Sequence, residues 1–462
     1  MIILNGCLID EKGVRMIKIR KVYYVTLIFG LALILIGCQD AGEVGEDDWV
    51  EDVSSPTETE EDTELILRHA IESEEEINLL RDAVENVEAN MNATITMDPQ
   101  GYELYEALLE EEISEGELPH IIEVLMTQDR PFIEENKDNF LDLTDYLEES
   151  GLIDSFYSID TFTIDGRIYG LPTRGSTSQL FYNKQLVEEL GGVPTTWDEL
   201  VTLMKEASQK GYNPLALDAD GYRYYELFEG LLSQTVSKDR LNELINNEAK
   251  WTDDDVIKTF ELLEEIAQLE IPLIEPEEDG ELIEGDMTPL IEAFSSGNTV
   301  FIYADEYIVS LQGEHEHMED NIGVISIPPV PGFEDNTSTV PGSFNYGFVF
   351  SGHVTEAEEQ LIYEFIESFW TEAVMSDYSV AYEYIPSIRM NVTTDNRLFQ
   401  DVMDLNNEAA SVYPSIGSLV PYEFERIIFN AVKGVTTGNL SVMEAVEVLN
   451  DPPKEAEFTE FE

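Results

Sequence analysis

Short apolar strands alternate with amphipathic helices at the start of the folded chain, and this alternation restricts the architecture more than any other feature. Glu64-Leu65-Ile66-Leu67-Arg68-His69 reads as a strand, and Ile77, Leu80, Val84 and Val87 then recur at helical spacing behind Ser73, a suitable cap. Thr94 to Met97 reads as a second strand, Tyr102 to Ile113 as a helix and Ile121 to Leu125 as a third strand. Such a series builds a parallel sheet with helices on its faces, an α/β fold. Ligands of these sheets sit beyond the carboxyl ends of the strands. That rule directs attention to Arg68 and His69, to Asp98-Pro99-Gln100 and to Thr127-Gln128-Asp129-Arg130.

A chain of 462 residues exceeds one ordinary domain of roughly 100–200 residues, so at least two folded lobes are expected. The 24 Lys and Arg stand against 97 Asp and Glu, a net charge of −73 with no basic stripe, which excludes nucleic acid as a partner. Two cysteines, Cys7 and Cys38, are too few for a disulfide scaffold or a four-cysteine metal site.

The first 37 residues hold Lys12, Arg15, Lys18, Arg20 and Lys21 against Asp10 and Glu11, so they are net positive while the rest is strongly negative. Val22 to Ile36 is an uncharged, largely apolar run of 15 residues behind Lys18-Ile19-Arg20-Lys21, the layout of a secretory signal. It is shorter than the roughly 20 residues of a bilayer span. Its end, Leu35-Ile36-Gly37-Cys38, resembles the lipobox of bacterial lipoproteins, which makes Cys38 the expected lipidation site and residues 1–37 a signal peptide. An uncleaved anchor helix with an incidental cysteine is the alternative. Met16 is a second candidate start, which would leave residues 1–15 untranslated. Residues 38–63 are rich in Asp and Glu and poor in apolar side chains, and are expected to be a solvated tether.

A second run begins at Ile168-Tyr169-Gly170-Leu171-Pro172 and continues through Leu180-Phe181-Tyr182-Asn183-Lys184 to Pro194-Thr195-Thr196-Trp197-Asp198-Glu199-Leu200. There Thr196 caps a helix and Glu199 takes the capping-box position. With Ala293-Phe294-Ser295-Ser296-Gly297, Val300 to Tyr303 and Pro386-Ser387, these motifs resemble the extracellular solute-binding proteins of bacterial ABC importers. The branch is the carbohydrate-binding, maltose-binding-protein-like one, and the resemblance runs from about residue 64 to 451. Leu118-Pro119-His120 departs from the family's usual Pro-Asp.

The resemblance implies a two-lobed α/β periplasmic-binding-protein fold with a ligand cleft between lobes and hinge crossings near 171–175, 327–330 and 385–388. Lobe 1 would comprise 64–172 with 328–385, and lobe 2 173–327 with 386–455. It implies a monomeric, lipid-anchored receptor on the extracytoplasmic face, with a small solute and the permease subunits as partners. No cofactor, metal or catalytic residue is implied.

Sugar recognition takes carboxylates and Arg for paired hydroxyls and aromatic faces for the apolar side of the ring. Asp129-Arg130 matches the family's sugar-gripping Asp-Arg pair, a surface ion pair being the alternative. Asp220-Gly221-Tyr222, with Tyr224 and Tyr225, stands in place of the family's Glu-Pro-Tyr. In Tyr303-Ala304-Asp305-Glu306-Tyr307, Tyr303 and Asp305 flank the match to a ligand-stacking Trp, for which Tyr307 is nearest. Gly342 and Ser343 lie in a segment like the family's cleft-lining Gly-Gly turn, or in a simple turn into a strand. Tyr384 precedes the third crossing and Tyr422 matches a late aromatic. Arg68, His69 and Arg174 lie at strand ends or beside a crossing, where they hold ligand or neutralise carboxylates.

Other chemistries find less support. Glu314-His315-Glu316-His317 lacks metalloprotease spacing, and Asp253-Asp254-Asp255 suits a helix start better than a calcium loop. Rival readings are the same fold binding a polyol, peptide or polyamine, a surface glycoside hydrolase with two carboxyls roughly 5–9.5 Å apart, and a sensor without transport. Carboxylates crowding the cleft would favour a cationic ligand. The acidity suits a saline or alkaline habitat, since screening shortens to about 3 Å in 1 M salt. The protein is therefore expected to melt at a higher temperature in molar salt than in dilute buffer; equal melting temperatures would contradict this.

Overall fold

In the computed structural model the described residues are 63–71, 73–91, 93–219, 221–274, 287–312, 320–336, 339–380 and 383–452. The signal segment with Cys38, the tether up to Asp62, Asp220, His315 and His317 lie outside them. Leu65 and Leu67 are fully buried while Ile66 between them is exposed, the alternation of a strand with one face on a core. This strand, Thr63–His69, pairs in parallel with Ala93–Pro99 on one side and Ile121–Leu125 on the other. The helices Glu74–Glu88 and Tyr102–Glu115 make the crossovers. Ser73 caps the first, its hydroxyl accepting from the Glu76 amide, and Leu80, Ala83, Val84 and Val87 form its buried face.

Beyond Ile121–Leu125 the sheet is mixed rather than purely parallel. Thr339–Phe350 runs antiparallel to Ile121–Leu125 and to Gly170–Thr177, whose far edge takes Ile385–Pro386, and Ser411–Pro414 pairs in parallel with its start. These strands arrive from distant parts of the chain, so no βαβ crossover dictates their direction. A second, four-stranded sheet has the order Ile322–Ile325, Gln179–Asn183, Thr299–Ala304 and Asn213–Leu215. Every residue of Thr299–Ala304 is buried. The helices Tyr222–Thr235, Asp254–Ala267 and Tyr422–Thr436 pack together beside it, with Phe228 and Phe260 ring centroids 4.7 Å apart. Among the described residues no helix is long and apolar enough to cross a membrane.

The chain leaves the first sheet at Ser178, later than the 171–175 that Pro172 suggests. Pro172 lies inside the Gly170–Thr177 strand at an irregular register opposite Gly347, where a missing ladder donor is tolerated, and its carbonyl accepts from the Trp370 indole at 2.6 Å. Ser411–Pro414 likewise returns to the first sheet, although it falls within 386–455, the stretch the resemblance places in the second lobe. Thr196 does cap the helix Trp197–Lys210, but Glu199 reaches back to the amide and hydroxyl of Thr195, both at 2.8 Å, so the pair is not a capping box. Asp253 and Asp255 flank the start of Asp254–Ala267 and both pair with Arg240.

Phe348 is the hub of the first core, its ring centroid 5.4–6.1 Å from those of Phe365, Phe369 and Trp370. Truncating a fully enclosed Phe loses its transfer energy and leaves a cavity. Phe348→Ala is expected to cost about 3–5 kcal/mol in urea denaturation; a loss under 1 kcal/mol would show that the core repacks.

Candidate functional site

A cavity of 540 Å³ opens where the carboxyl ends of the first sheet's parallel strands meet the end of Thr299–Ala304 from the second. Ala70 and Ile71 follow the first strand into it; Glu123, Val124 and Leu125 come from the third, and Asp129 from the helix Met126–Glu135. Asp305, Glu306 and Tyr307 supply the second sheet's contribution, and Gly175, Ser176, Ser343, Asn345 and Tyr346 the part between. A smaller chamber of 150 Å³ shares Ser176, Asp305 and Ser343 with this cavity. Tyr222, Tyr225, Tyr303 and Gly342 line it.

Arg174 is the cation of the main cavity. Its guanidinium lies between two rings, 4.5 Å from the Tyr346 centroid and 4.2 Å from that of Tyr384, and pairs with Glu76 at 3.2 Å. The Tyr384 hydroxyl also donates to Glu76, at 3.0 Å. A buried charge held on two aromatic faces and one carboxylate is compensated on every side, which makes the cluster a rigid wall.

The carboxylates around it are held by main-chain donors. The Leu125 amide donates to Asp129 at 2.7 Å, the Ala70 amide to Glu123 at 3.1 Å, the Thr177 amide to Glu306 at 3.0 Å and the Tyr307 amide to Asp305 at 3.1 Å. Burial nevertheless outweighs these bonds: Asp129 is pushed up to about 6 and Glu123 to about 7, and Asp305 and Glu306 are raised for the same reason. Near neutral pH Glu123 and Asp129 exchange between forms, so they accept from a ligand when ionised and donate to it when protonated. The buried Oγ of Ser343 and Oδ1 of Asn345 meet no hydrogen-bond partner in the protein, and Tyr307 is 52% exposed.

Six of the residues singled out in the sequence thus line the main cavity: Asp129, Arg174, Asp305, Tyr307, Ser343 and Tyr384, of which Asp305 and Ser343 also line the small chamber. Others lie elsewhere. Arg68 is taken up by Asp98, at 2.7 Å, and Glu112, and so neutralises carboxylates behind the strand end. His69 is buried without lining either chamber, and burial lowers its pKa. Arg130 turns from Asp129 and donates to the carbonyls of Thr161 and Thr163 at 2.6 and 3.0 Å, bracing the loop there. Tyr422 is 64% exposed beside Arg426. Gly342 lines the small chamber, but its missing side chain serves the sheet: a Cβ there would fall 2.5 Å from the Ser176 carbonyl oxygen. His120 accepts from the Ile66 amide at 3.0 Å, a purely structural bond.

Sequence reasoning missed Glu76, Glu123, Glu306, Asn345 and Tyr346 in the main cavity, and Glu226, Glu229 and Glu425 in the small one. A signal existed for some of them. Glu123 interrupts an otherwise apolar strand, and Glu226 and Glu229 share a helix face with Tyr222 and Tyr225. Among the described residues no group of three or more His, Cys, Asp or Glu is arranged to hold a metal ion.

Because the folded pKa of Glu123 is raised from 4.5 to about 7, the native state binds more protons than the unfolded chain between those values. Its contribution to stability is therefore complete in acid and is lost as pH rises through 7. Glu123→Gln keeps an acceptor for the Ala70 amide and removes the titration. The decline in melting temperature from pH 5 to 8 should be smaller in this variant than in the wild type; parallel declines would contradict the assignment.

A family model described as bacterial extracellular solute-binding protein matches residues 82–398. A lactose-binding protein of Rhizobium radiobacter is 29% identical over 22% of this chain and 25% of its own length. A multiple sugar-binding protein of Streptococcus mutans is 31% identical over 24% of this chain and 26% of its own. The chain thus spans about a quarter of the length of these curated relatives. A solved structure, a family 1 extracellular solute-binding protein from Bifidobacterium longum subsp. infantis, superposes over 84% of this chain and 98% of its own with a TM-score of 0.67 at 18% identity. The fold is therefore the two-lobed α/β fold of solute-binding proteins, and with the family match extending over most of the folded chain, this protein belongs to the bacterial extracellular solute-binding proteins.

Proposed function

We propose that this protein is the lipid-anchored receptor of an ABC importer, capturing a sugar or short oligosaccharide between its lobes and delivering it to the permease. The observation that carries the reading is the composition of the 540 Å³ cavity, where the exposed ring of Tyr307 accompanies Asp129 and the unpartnered polar atoms of Ser343 and Asn345. An aromatic face covers the apolar side of a pyranose while carboxylates and amides take its hydroxyls. The names of the two curated relatives, lactose-binding and multiple sugar-binding, point to the same class.

The two-sheet construction of the site supports capture by closure. A solute that touches Asp129 and Tyr307 together contacts residues from both sheets, and it favours whichever arrangement brings them closest. The lobes that close would be 64–172 with 328–385 and 173–327 with 386–455, adjusted so that Gly170–Thr177 and Ser411–Pro414 stay with the first sheet. Cys38 would hold the receptor at the outer face of the membrane and residues 39–63 would let it reach the permease.

A thermal-shift screen against mono- and oligosaccharides tests the reading, since a ligand at 100 times its Kd stabilises by about 2.7 kcal/mol. One carbohydrate group should raise the melting temperature without being cleaved. Tyr307→Ala should still fold, since Tyr307 is 52% exposed, and should weaken that sugar at least tenfold. Cleavage of the sugar would favour the hydrolase, and silence across all carbohydrates would contradict the proposal.

A further inference from the structure

The small chamber has a chemistry of its own. Glu229 accepts from the Ser415 hydroxyl at 2.8 Å and the Ile416 amide at 2.7 Å, and both bonds fall on Oε1, so Oε2 receives neither. The Tyr413 hydroxyl, on a side chain 1% exposed, lines the same chamber and meets no hydrogen-bond partner in the protein. Glu226, Glu425 and Asp305 add three more carboxyls to the wall. The nearby guanidinium, Arg223, is engaged by Glu226 at 2.5 Å and by Asp218 at 3.4 Å.

A neutral hydroxyl donates a single proton and brings no charge; Arg223 reaches Glu226 among these carboxyls, and none of the ion pairs among the described residues reaches Glu229, which a hydroxyl would leave without a cation. An ammonium group donates three charge-assisted bonds and supplies the missing charge. Resting on the receptor reading above, we infer that the captured solute carries a protonated primary amine, which enters the small chamber and donates to Glu229 Oε2 and the Tyr413 hydroxyl while the rest of the solute occupies the larger cavity. Burial pushes Glu229 up to about 7 and Glu226 up to about 8, partly relieved by Arg223 at Glu226. Without ligand the chamber therefore holds part of its charge back as protons, and an incoming ammonium displaces them.

Two sources share this chemistry, amino sugars and polyamines. Isothermal titration of the purified protein with glucosamine oligomers, their N-acetylated forms, neutral gluco-oligosaccharides and spermidine separates them. The amine-bearing sugar should bind at least tenfold tighter than its N-acetylated and neutral counterparts, with proton release seen as a heat that varies with buffer. Spermidine binding alone would keep the amine and exclude the sugar. Glu229→Gln retains acceptors for Ser415 and Ile416, and Tyr413→Phe removes only a hydroxyl; each should reduce the amine preference, the first at least tenfold. Neutral or N-acetylated sugars binding as tightly as the amine would overturn the inference and leave the receptor standing, as would an undiminished preference in Glu229→Gln. No binding by any of the four would overturn the inference, and silence across the wider carbohydrate screen as well would remove the receptor reading with it.

Discussion

The strand Thr339–Phe350 pairs along its length with three others, and the geometry of the site depends on that shared register. Its second half is pinned by close packing: a Cβ on Gly347 would fall 2.2 Å from the Leu171 carbonyl oxygen, so only glycine lets the two backbones approach as they do. Phe348 and Phe350 then alternate into the aromatic core beside Phe365. The first half, freed by an irregular register between Ser343 and Gly347, turns Ser343, Asn345 and Tyr346 toward the cavity. One strand therefore anchors the core at one end and furnishes the site at the other.

Electrostatics set the character of that site. Eight carboxyls line the two chambers; Glu76 pairs with Arg174 and Glu226 with Arg223, and burial raises the pKa of Glu123, Asp129, Glu226, Glu229, Asp305 and Glu306. Such a site is costly in the unliganded protein, and a solute that brings donors or positive charge relieves it. On the proposed function, a preference for ligand would arise from what the fold leaves uncompensated. The surface tells a different story, since exposed pairs such as Lys205 and Glu265 at 3.7 Å contribute little and are screened by salt.

Much of the fold was legible because local rules and tertiary structure agree. The opening strand–helix series, the Ser73 cap and the capped helix after Thr196 all follow from periodicity and side-chain chemistry that act within a few residues. The site was legible only where chain position and chemistry coincide, as for Asp129 after a strand end, or where the family resemblance supplied a match, as for Tyr307. Arg68 and Arg130 show why the rest failed: a cation at a strand end looks the same whether it meets a ligand or a neighbouring carboxylate or carbonyl, and only the partners across space decide. Glu76 and Glu425 belong to helices hundreds of residues apart, and no local pattern places either beside the cleft.

The central claim is that one solute bridges the two sheets. Hydrogen–deuterium exchange of the protein with and without the solute giving the largest thermal shift tests it directly. The account predicts added protection in two separate stretches, around Leu125 to Asp129 at the first sheet and Ala304 to Tyr307 at the second, together with 341–346 between them. Protection confined to one of the two walls, or lying wholly outside the cavity, would contradict it.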